Sequence, residues 1–264
     1  MPKQLQQIRR VFLDMDGTIY HGDTLFPTTA PFLDFLAERG IGYTFLSNNS
    51  SFSTEEYIGK LSRMGIAAAA ENFYISTDYT IDYLKRHHPG FRKLYLLAMP
   101  RIRAEFEAAG FTVDETHPDA VVVAFDRGLV YARICRAAWL LKQGVPGFAT
   151  HPDLFCPTDR PTWLPDCGAL TRMLEAATGA KLKVLGKPDP GMLEEAAARS
   201  GVPVERTLMV GDRLATDIAA GRRAGALTCH VTPEPEAAPD VPPELAPQMR
   251  VRNLGELKEL WLNA

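Results

Sequence analysis

The chain has little cysteine: Cys135, Cys156, Cys167 and Cys229 are the only four in 264 residues, and no two form a Cys-x-x-Cys pair. Neither a zinc knuckle nor a thiol-redox motif is indicated, and scattered cysteines of this kind fit a reducing compartment. An excess of charge is also lacking, with 29 Lys and Arg against 32 Asp and Glu and a net charge of −3. That balance gives no electrostatic footprint for nucleic acid. The densest basic spots, Arg86-His87-His88 and Arg222-Arg223, read as solvated helix ends. No apolar run approaches the length a bilayer requires, and Met1-Pro2-Lys3-Gln4-Leu5-Gln6-Gln7 has no apolar core of a secretory leader. These absences set the expectation of a cytoplasmic protein with no nucleic-acid or membrane partner. What remains is ordinary globular material, 46% hydrophobic and 23% charged, long enough for one large or two modest domains.

The stretch around which the rest is organised is Val11-Phe12-Leu13-Asp14-Met15-Asp16-Gly17-Thr18. A short apolar run bounded by polar and glycine residues predicts a buried strand of a parallel sheet, and ligands gather at the carboxyl edge of such sheets. A lone Asp-x-Asp there is as readily a solvated acidic turn, so the weight rests on what other strands deliver. A helix is predicted over 31–39, then a strand over 41–46 that stops at Ser47-Asn48-Asn49-Ser50. Ser53 and Glu56 have capping-box spacing at the head of the next helix, which ends near Gly65.

From about Asp78 the rhythm continues with fewer polar groups at strand ends. Strands are expected at 94–98, 120–125 and 147–150, and helices at 102–109, 130–142 and 170–177. His151 to Asp166, with four prolines, reads as loop. A strand over 182–185 then ends at Gly186-Lys187-Pro188, and one over 207–210 ends at Gly211-Asp212. The helix that follows carries Asp217; 227–231 suggests an edge strand, 233–247 with its six prolines a surface excursion, and 254–262 a terminal helix. The expected architecture is α/β: a Rossmann-like parallel-sheet core with helices on both faces, plus an inserted α/β domain. The boundaries are 1–78 and 182–264 for the core and 79–181 for the insertion.

Strand–helix–strand crossovers are right-handed almost without exception, so the strands run parallel and their tips converge. Four strands would then bring Asp14 and Asp16, Ser47-Asn48-Asn49, Lys187 and Asp212 to one edge. Carboxylates, a hydroxyl, amides and one ammonium make a site for a metal-bound phosphate, and Mg²⁺ takes oxygen ligands of this kind. Four unrelated polar strand caps would be the bland alternative, and the set is hard to produce by accident.

Asp14-Met15-Asp16-Gly17-Thr18, Ser47-Asn48-Asn49-Ser50, Gly186-Lys187-Pro188 and Gly211-Asp212-Arg213-Leu214-Ala215-Thr216-Asp217-Ile218 resemble, in order, the four motifs of haloacid dehalogenase superfamily phosphatases. The insertion between the second and third motifs looks like that superfamily's type II cap. Asp126-Arg127, Ala149-Thr150-His151-Pro152-Asp153-Leu154 and Cys167-Gly168-Ala169-Leu170 are similar to cap stretches of its p-nitrophenylphosphatase and sugar-phosphate phosphatase branch. The resemblance implies an aspartyl phosphate on Asp14, with Asp16 protonating the leaving oxygen and then deprotonating water. It implies Mg²⁺ held by Asp14, the backbone oxygen of Asp16, and Asp212. Ser47, Asn48 and Lys187 would bind the phosphoryl group. Asn49 would orient the flap or the site loop, and Asp217 would support the metal shell from outside unless it is no more than an acid in a first helical turn.

Two departures stand out in the cap: His151 where relatives commonly have Asn, and Pro165-Asp166-Cys167-Gly168 where they often carry Pro-Gly-x-Gly. His151, Asp153, Trp163 and Asp166 are the candidates for leaving-group contacts, against the alternative that they pack the loop or make turns. Arg127 and Arg160 are cations that could meet a second anionic group. The expected activity is Mg-dependent hydrolysis of a small phosphorylated metabolite, the expected assembly a possible homodimer. The rivals are a phosphomutase of the same superfamily, whose cap usually lies between the first two motifs, and a non-catalytic phospholigand-binding protein.

Overall fold

The computed structural model of the chain describes residues 2–156, 162–235 and 241–264. The chain packs into two units, one of Met1–Ser47, Ile58–Tyr74 and Lys187–Ala264, the other of Asn48–Tyr57 and Ile75–Gly186. Among the described residues no helix is long and apolar enough to cross a membrane.

The first unit is built on a six-stranded sheet in the order Met249–Val251, Leu227–Val231, Thr207–Gly211, Arg10–Leu13, Gly42–Ser47, Phe73–Ile75. The first five of these strands pair in parallel, with Leu13 opposite both Val210 and Phe45. Val11, Phe12 and Leu13 are wholly buried, which is why the run reads as continuous apolar sequence rather than as an alternation. Strands that follow Arg10–Leu13 in the chain add first on one side of it and later on the other. Its carboxyl end is therefore the topological switch point, where an open α/β sheet leaves a crevice. Helix Thr29–Glu38 buries Phe32, Leu33, Phe35 and Leu36, and Leu254–Leu262 returns to pack Trp261 edge-on to Phe35 with ring centroids 5.9 Å apart.

The second unit carries its own parallel sheet, ordered Lys183–Val184, Gly147–Ala149, Ala120–Val123, Lys93–Leu97, Thr112–Val113. Tyr95, Leu97, Val121 and Val123 form its core with Leu140 and Leu174 from helices Tyr131–Lys142 and Cys167–Thr178. Burying each such aliphatic side chain contributes about 1.5–3 kcal/mol. The α/β reading of the sequence holds for both sheets. So does the capping box: Glu56 N donates to Ser53 Oγ at 3.2 Å and Ser53 N to Glu56 Oε2 at 2.9 Å, at the head of Thr54–Arg63.

Two expectations need correction, and two further features add to the reading. The strand before Lys187 is Lys183–Val184, and it pairs with Gly147–Ala149 in the second sheet, so three strand tips of the core sheet, not four, meet at the site. An apolar run of this length says that a strand forms, not which sheet it joins. Leu227–Val231 is not an edge strand, because Met249–Val251 lies outside it. Strand Phe73–Ile75 and helix Ser76–His87 were not anticipated, since Tyr, Thr and Asp interrupt the apolar period there. The proline-rich loop contains a two-residue antiparallel ladder, Phe155–Cys156 with Leu164–Pro165.

Candidate active site

In the first unit, Asp14 and Asp212 lie at the tips of adjacent strands: Asp212 directly follows Thr207–Gly211, and Asp14 directly follows Arg10–Leu13 and donates its backbone N–H to Val210 O at 2.9 Å. Lys187 Nζ donates to Asp14 Oδ1 at 2.6 Å and to Leu46 O at 3.1 Å, and lies 2.7 Å from Asp217 Oδ1. This ammonium is almost wholly buried, its side chain 2% exposed. Burial alone would lower its pKa, but the Asp14 and Asp217 carboxylates more than offset that and hold it above the ordinary lysine range. Carboxylate oxygens of Asp14, Asp212 and Asp217 all lie within 4.8 Å of one another.

Three acids thus share one ammonium. Burial pushes the Asp14 carboxyl well up, the neighbouring Asp217 and Asp212 add to the rise, and Lys187 opposes it. Burial, reinforced by Asp217, pushes Asp212 up to about 6. Asp212 Oδ1 is buried without a hydrogen-bond partner. Two glycines make room for the acids: a Cβ on Gly17, whose φ is +90°, would collide with the Asp212 carboxylate, and one on Gly211 with that of Asp217. Asp217 lies in a π-helical turn, Leu214–Ile218, and Arg213 N, just before that turn, donates to its Oδ2 at 3.1 Å. It is therefore more than a first-turn acid, since its other oxygen faces Lys187.

Asp16 stands apart from this cluster. Its side chain is 52% exposed and faces the His21 ring, Nδ1 to Oδ1 at 3.4 Å, on the small hairpin of Tyr20–His21 and Thr24–Leu25. Ser47 is buried at the tip of Gly42–Ser47. His230 was missed by the sequence reading. Burial lowers its pKa, and since a carbonyl oxygen only accepts, Nε2–H donates to the backbone oxygen of Asp212 at 2.9 Å. Its place near the end of Leu227–Val231, a strand beside Thr207–Gly211, was the available signal.

In the second unit, Asn48 is buried, with Nδ2 at 3.4 Å from both oxygens of Asp153. Asn49 makes a local turn, its Oδ1 accepting from Ser51 N and Ser51 Oγ, both at 2.8 Å. His151 and Asp166 are buried against each other, Nε2 to Oδ1 at 2.9 Å, and Asp166 caps helix Cys167–Thr178. Trp163 is 64% exposed and stacks on Phe155, ring centroids 4.3 Å apart. Of these four candidates for leaving-group contact, Trp163 presents a large exposed surface, whereas His151 and Asp166 are engaged with each other. Arg127 is exposed, and Arg160 lies outside the described residues.

Residues 11–112 match the family described as haloacid dehalogenase-like hydrolase, and residues 184–257 one described as HAD-hydrolase-like. The chain is similar to an acid sugar phosphatase of Staphylococcus aureus (strain MRSA252), 31% identical over 86% of this chain and 87% of that one. It is also similar to the 5'-nucleotidase YutF of Bacillus subtilis (strain 168), 33% identical over 81% of this chain and 82% of the other. Among solved structures, a 4-nitrophenylphosphatase from Thermotoga maritima superposes with a TM-score of 0.88 at 36% identity, covering 97% of this chain and 98% of that one.

Proposed function

Because the chain belongs to the haloacid dehalogenase-like hydrolases and is a phosphatase, we propose that it hydrolyses the phosphate monoester of a small metabolite through an aspartyl phosphate on Asp14. The observation that carries this reading is the charge imbalance around Lys187: three clustered carboxylates, of which Asp217 is buried and Asp14 and Asp212 half-buried, one buried ammonium, and an Asp212 Oδ1 that is itself buried with no hydrogen-bond partner. The relatives' names point to a sugar phosphate or a nucleotide as the substrate class.

An all-oxygen donor set with surplus negative charge fits a small divalent cation. Asp14, Asp212 and the backbone oxygen of Asp16 would hold Mg²⁺. When bound, it would neutralise charge on the phosphoryl oxygens. The second unit would serve as the cap that meets the leaving group.

The chain's own residues divide the remaining work. Lys187 occupies Asp14 Oδ1, which leaves Oδ2 to attack phosphorus. As that bond forms, the bond to the leaving oxygen breaks, and Asp16 gives that oxygen its proton. Asp16 then takes a proton from water, whose oxygen attacks the phosphorus of the aspartyl phosphate and restores Asp14. Its exposure suits a group that must exchange protons in each half of the cycle. The Ser47 hydroxyl and Asn48 would hold phosphoryl oxygens, and Lys187 would balance their charge. Asp217 acts through Lys187, holding the ammonium in place and in its charged form.

The test is phosphate release from p-nitrophenyl phosphate, sugar phosphates and nucleoside monophosphates, before and after chelation. Activity should vanish on exhaustive chelation and return with Mg²⁺ but poorly with Ca²⁺, whose longer and looser coordination misplaces ligands. Full activity after chelation would overturn the metal assignment. An isomeric phosphate ester in place of free phosphate would identify a mutase.

A further inference from the structure

We propose that His151 and Asp166 are a matched pair of positioning residues that fix the segment beginning at Asn48 and the approach to Lys187. The proposal rests on the phosphatase reading above, in which Asn48 and Lys187 bind the phosphoryl group.

Within the second unit a buried chain of hydrogen bonds links Phe125 to Asp166. Phe125 N donates to Ser50 Oγ at 2.9 Å, and Ser50 Oγ lies 2.9 Å from Thr150 Oγ1. Thr150 Oγ1 lies 3.0 Å from His151 Nδ1, and His151 Nε2 lies 2.9 Å from Asp166 Oδ1. Asp166 accepts at its far end, so Nε2 carries the hydrogen; Thr150 Oγ1 also donates toward Cys167 Sγ at 3.6 Å, which ties the head of helix Cys167–Thr178 to the same chain. Ser50 also lies 3.4 Å from the same Nδ1. Ser50, Thr150 and His151 are each 0% exposed and Asp166 3%, so water competes with none of these bonds. Chains of this kind polarise one another and tie each member's position to the next.

The chain ends at phosphoryl-binding candidates, not in the apolar core. Ser50 is two residues beyond Asn48, whose own oxygen is held by Ser76 Oγ at 2.5 Å. Gly186, the residue before Lys187, has φ +71°, and a Cβ there would come within 2.6 Å of Thr150 O, 2.9 Å of Asn48 Oδ1 and 3.1 Å of His151 Cβ. Thr150 and His151 thus touch both the segment that starts at Asn48 and the glycine that delivers Lys187. Their neighbour Asp153 takes the Asn48 amide, and a Cβ on Gly168 would collide with the Pro152 carbonyl.

His151 and Asp166 lie fifteen residues apart in the chain and meet in one hydrogen bond.

The experiment is a double-mutant cycle on the full chain with His151→Asn, Asp166→Gly and both together. It reads kcat and KM for p-nitrophenyl phosphate, the inhibition constant of inorganic phosphate, and amide hydrogen exchange at residues 48–50 and 186–187. Each single change should raise KM and the phosphate constant at least about 5-fold and speed exchange at those amides. The double variant should be less damaged than the product of the singles by a similar factor. Asp166→Asn, which keeps an oxygen for both the helix cap and His151, should recover most of the loss and serves if Asp166→Gly fails to fold. Singles that multiply in the double, or an unchanged phosphate constant with unchanged exchange, would overturn the proposal. If the wild-type chain turned over no phosphate ester, the functional reading would fall, while the exchange cycle would still decide whether the pair is coupled.

Discussion

The two units each bury a polar cluster, and the clusters are built on opposite principles. Around Lys187, acids outnumber cations three to one, an oxygen of Asp212 has no partner, and burial raises the pKa of Asp14 and Asp212. Around His151, every step of the chain from Phe125 to Asp166 is closed by a hydrogen bond, and one carboxylate faces one imidazole. A closed cluster is what folding alone selects, since unpaired buried groups cost stability. An open one of several acids costs stability unless something outside the chain completes it. The comparison therefore separates a site from a brace by charge balance and satisfied bonds, without appeal to pocket shape.

The largest effect should come from breaking the open cluster at its centre. Asp14→Asn removes the nucleophile and one candidate metal ligand at once, and residues acting as a unit lose their effect together. Turnover of p-nitrophenyl phosphate should fall at least ~1,000-fold, about 4 kcal/mol of barrier. Stability should not follow it down. Removing one of three crowded carboxylates relieves repulsion, and Lys187 keeps Asp217 at 2.7 Å. A thermal midpoint lowered by more than about 5 °C would mean that the Asp14–Lys187 pair is a net stabiliser, and the contrast between the clusters would blur.

A smaller, graded effect should come from Asp16, which lies outside both clusters. If its proton goes to the leaving oxygen, Asp16→Asn should cost roughly 100-fold for alkyl or sugar phosphates. For p-nitrophenyl phosphate, whose leaving group departs without a proton, the loss should shrink to under about 10-fold. A series of esters with graded leaving-group pKa reads this directly. Equal losses along the whole series would assign Asp16 to structure or to the metal alone.

How much of this was legible in the sequence follows from what sequence pattern encodes. The apolar run into Asp14, the stop at Ser47 and the run into Asp212 named three strand tips, because strands buried on both faces announce themselves as unbroken hydrophobic stretches. Helix Thr54–Arg63 was equally plain, since its cap is local chemistry. The sheet that takes Lys183–Val184 was not legible: partner choice is a long-range property that two to four apolar residues do not carry. His151 and Asp166 were visible as departures but not as partners, because nothing in a linear chain says that positions 151 and 166 meet. His230 was legible only as a polar residue near the end of a strand; that its ring meets the Asp212 backbone oxygen was not.

The smallest effect concerns a third case, an unbalanced acid with no sign of function. Glu105, on helix Pro100–Ala108 in the second unit, accepts from Thr54 N at 3.1 Å through Oε1, while Oε2 is buried without a partner. Burial pushes its carboxyl up to about 7 and nearby Asp78 adds to the rise, against the hydrogen bond from Thr54. Between its ordinary value of 4.5 and about 7, the folded chain holds a proton there that the unfolded chain has lost. The stability this confers is complete below about pH 4.5 and disappears as the pH rises through about 7. Its size is on the order of 2 kcal/mol. Glu105→Gln keeps an oxygen for Thr54 and cannot ionise, so urea unfolding at pH 5 and pH 8 should show a smaller drop in the variant than in the wild type. Activity at saturating substrate should stay level, because Glu105 contacts none of the residues assigned to the chemistry. The same pH dependence in both proteins would mean that Glu105 is already ionised at pH 5. An isolated buried acid would then be tolerated here without protonation, and charge imbalance alone would no longer mark a site.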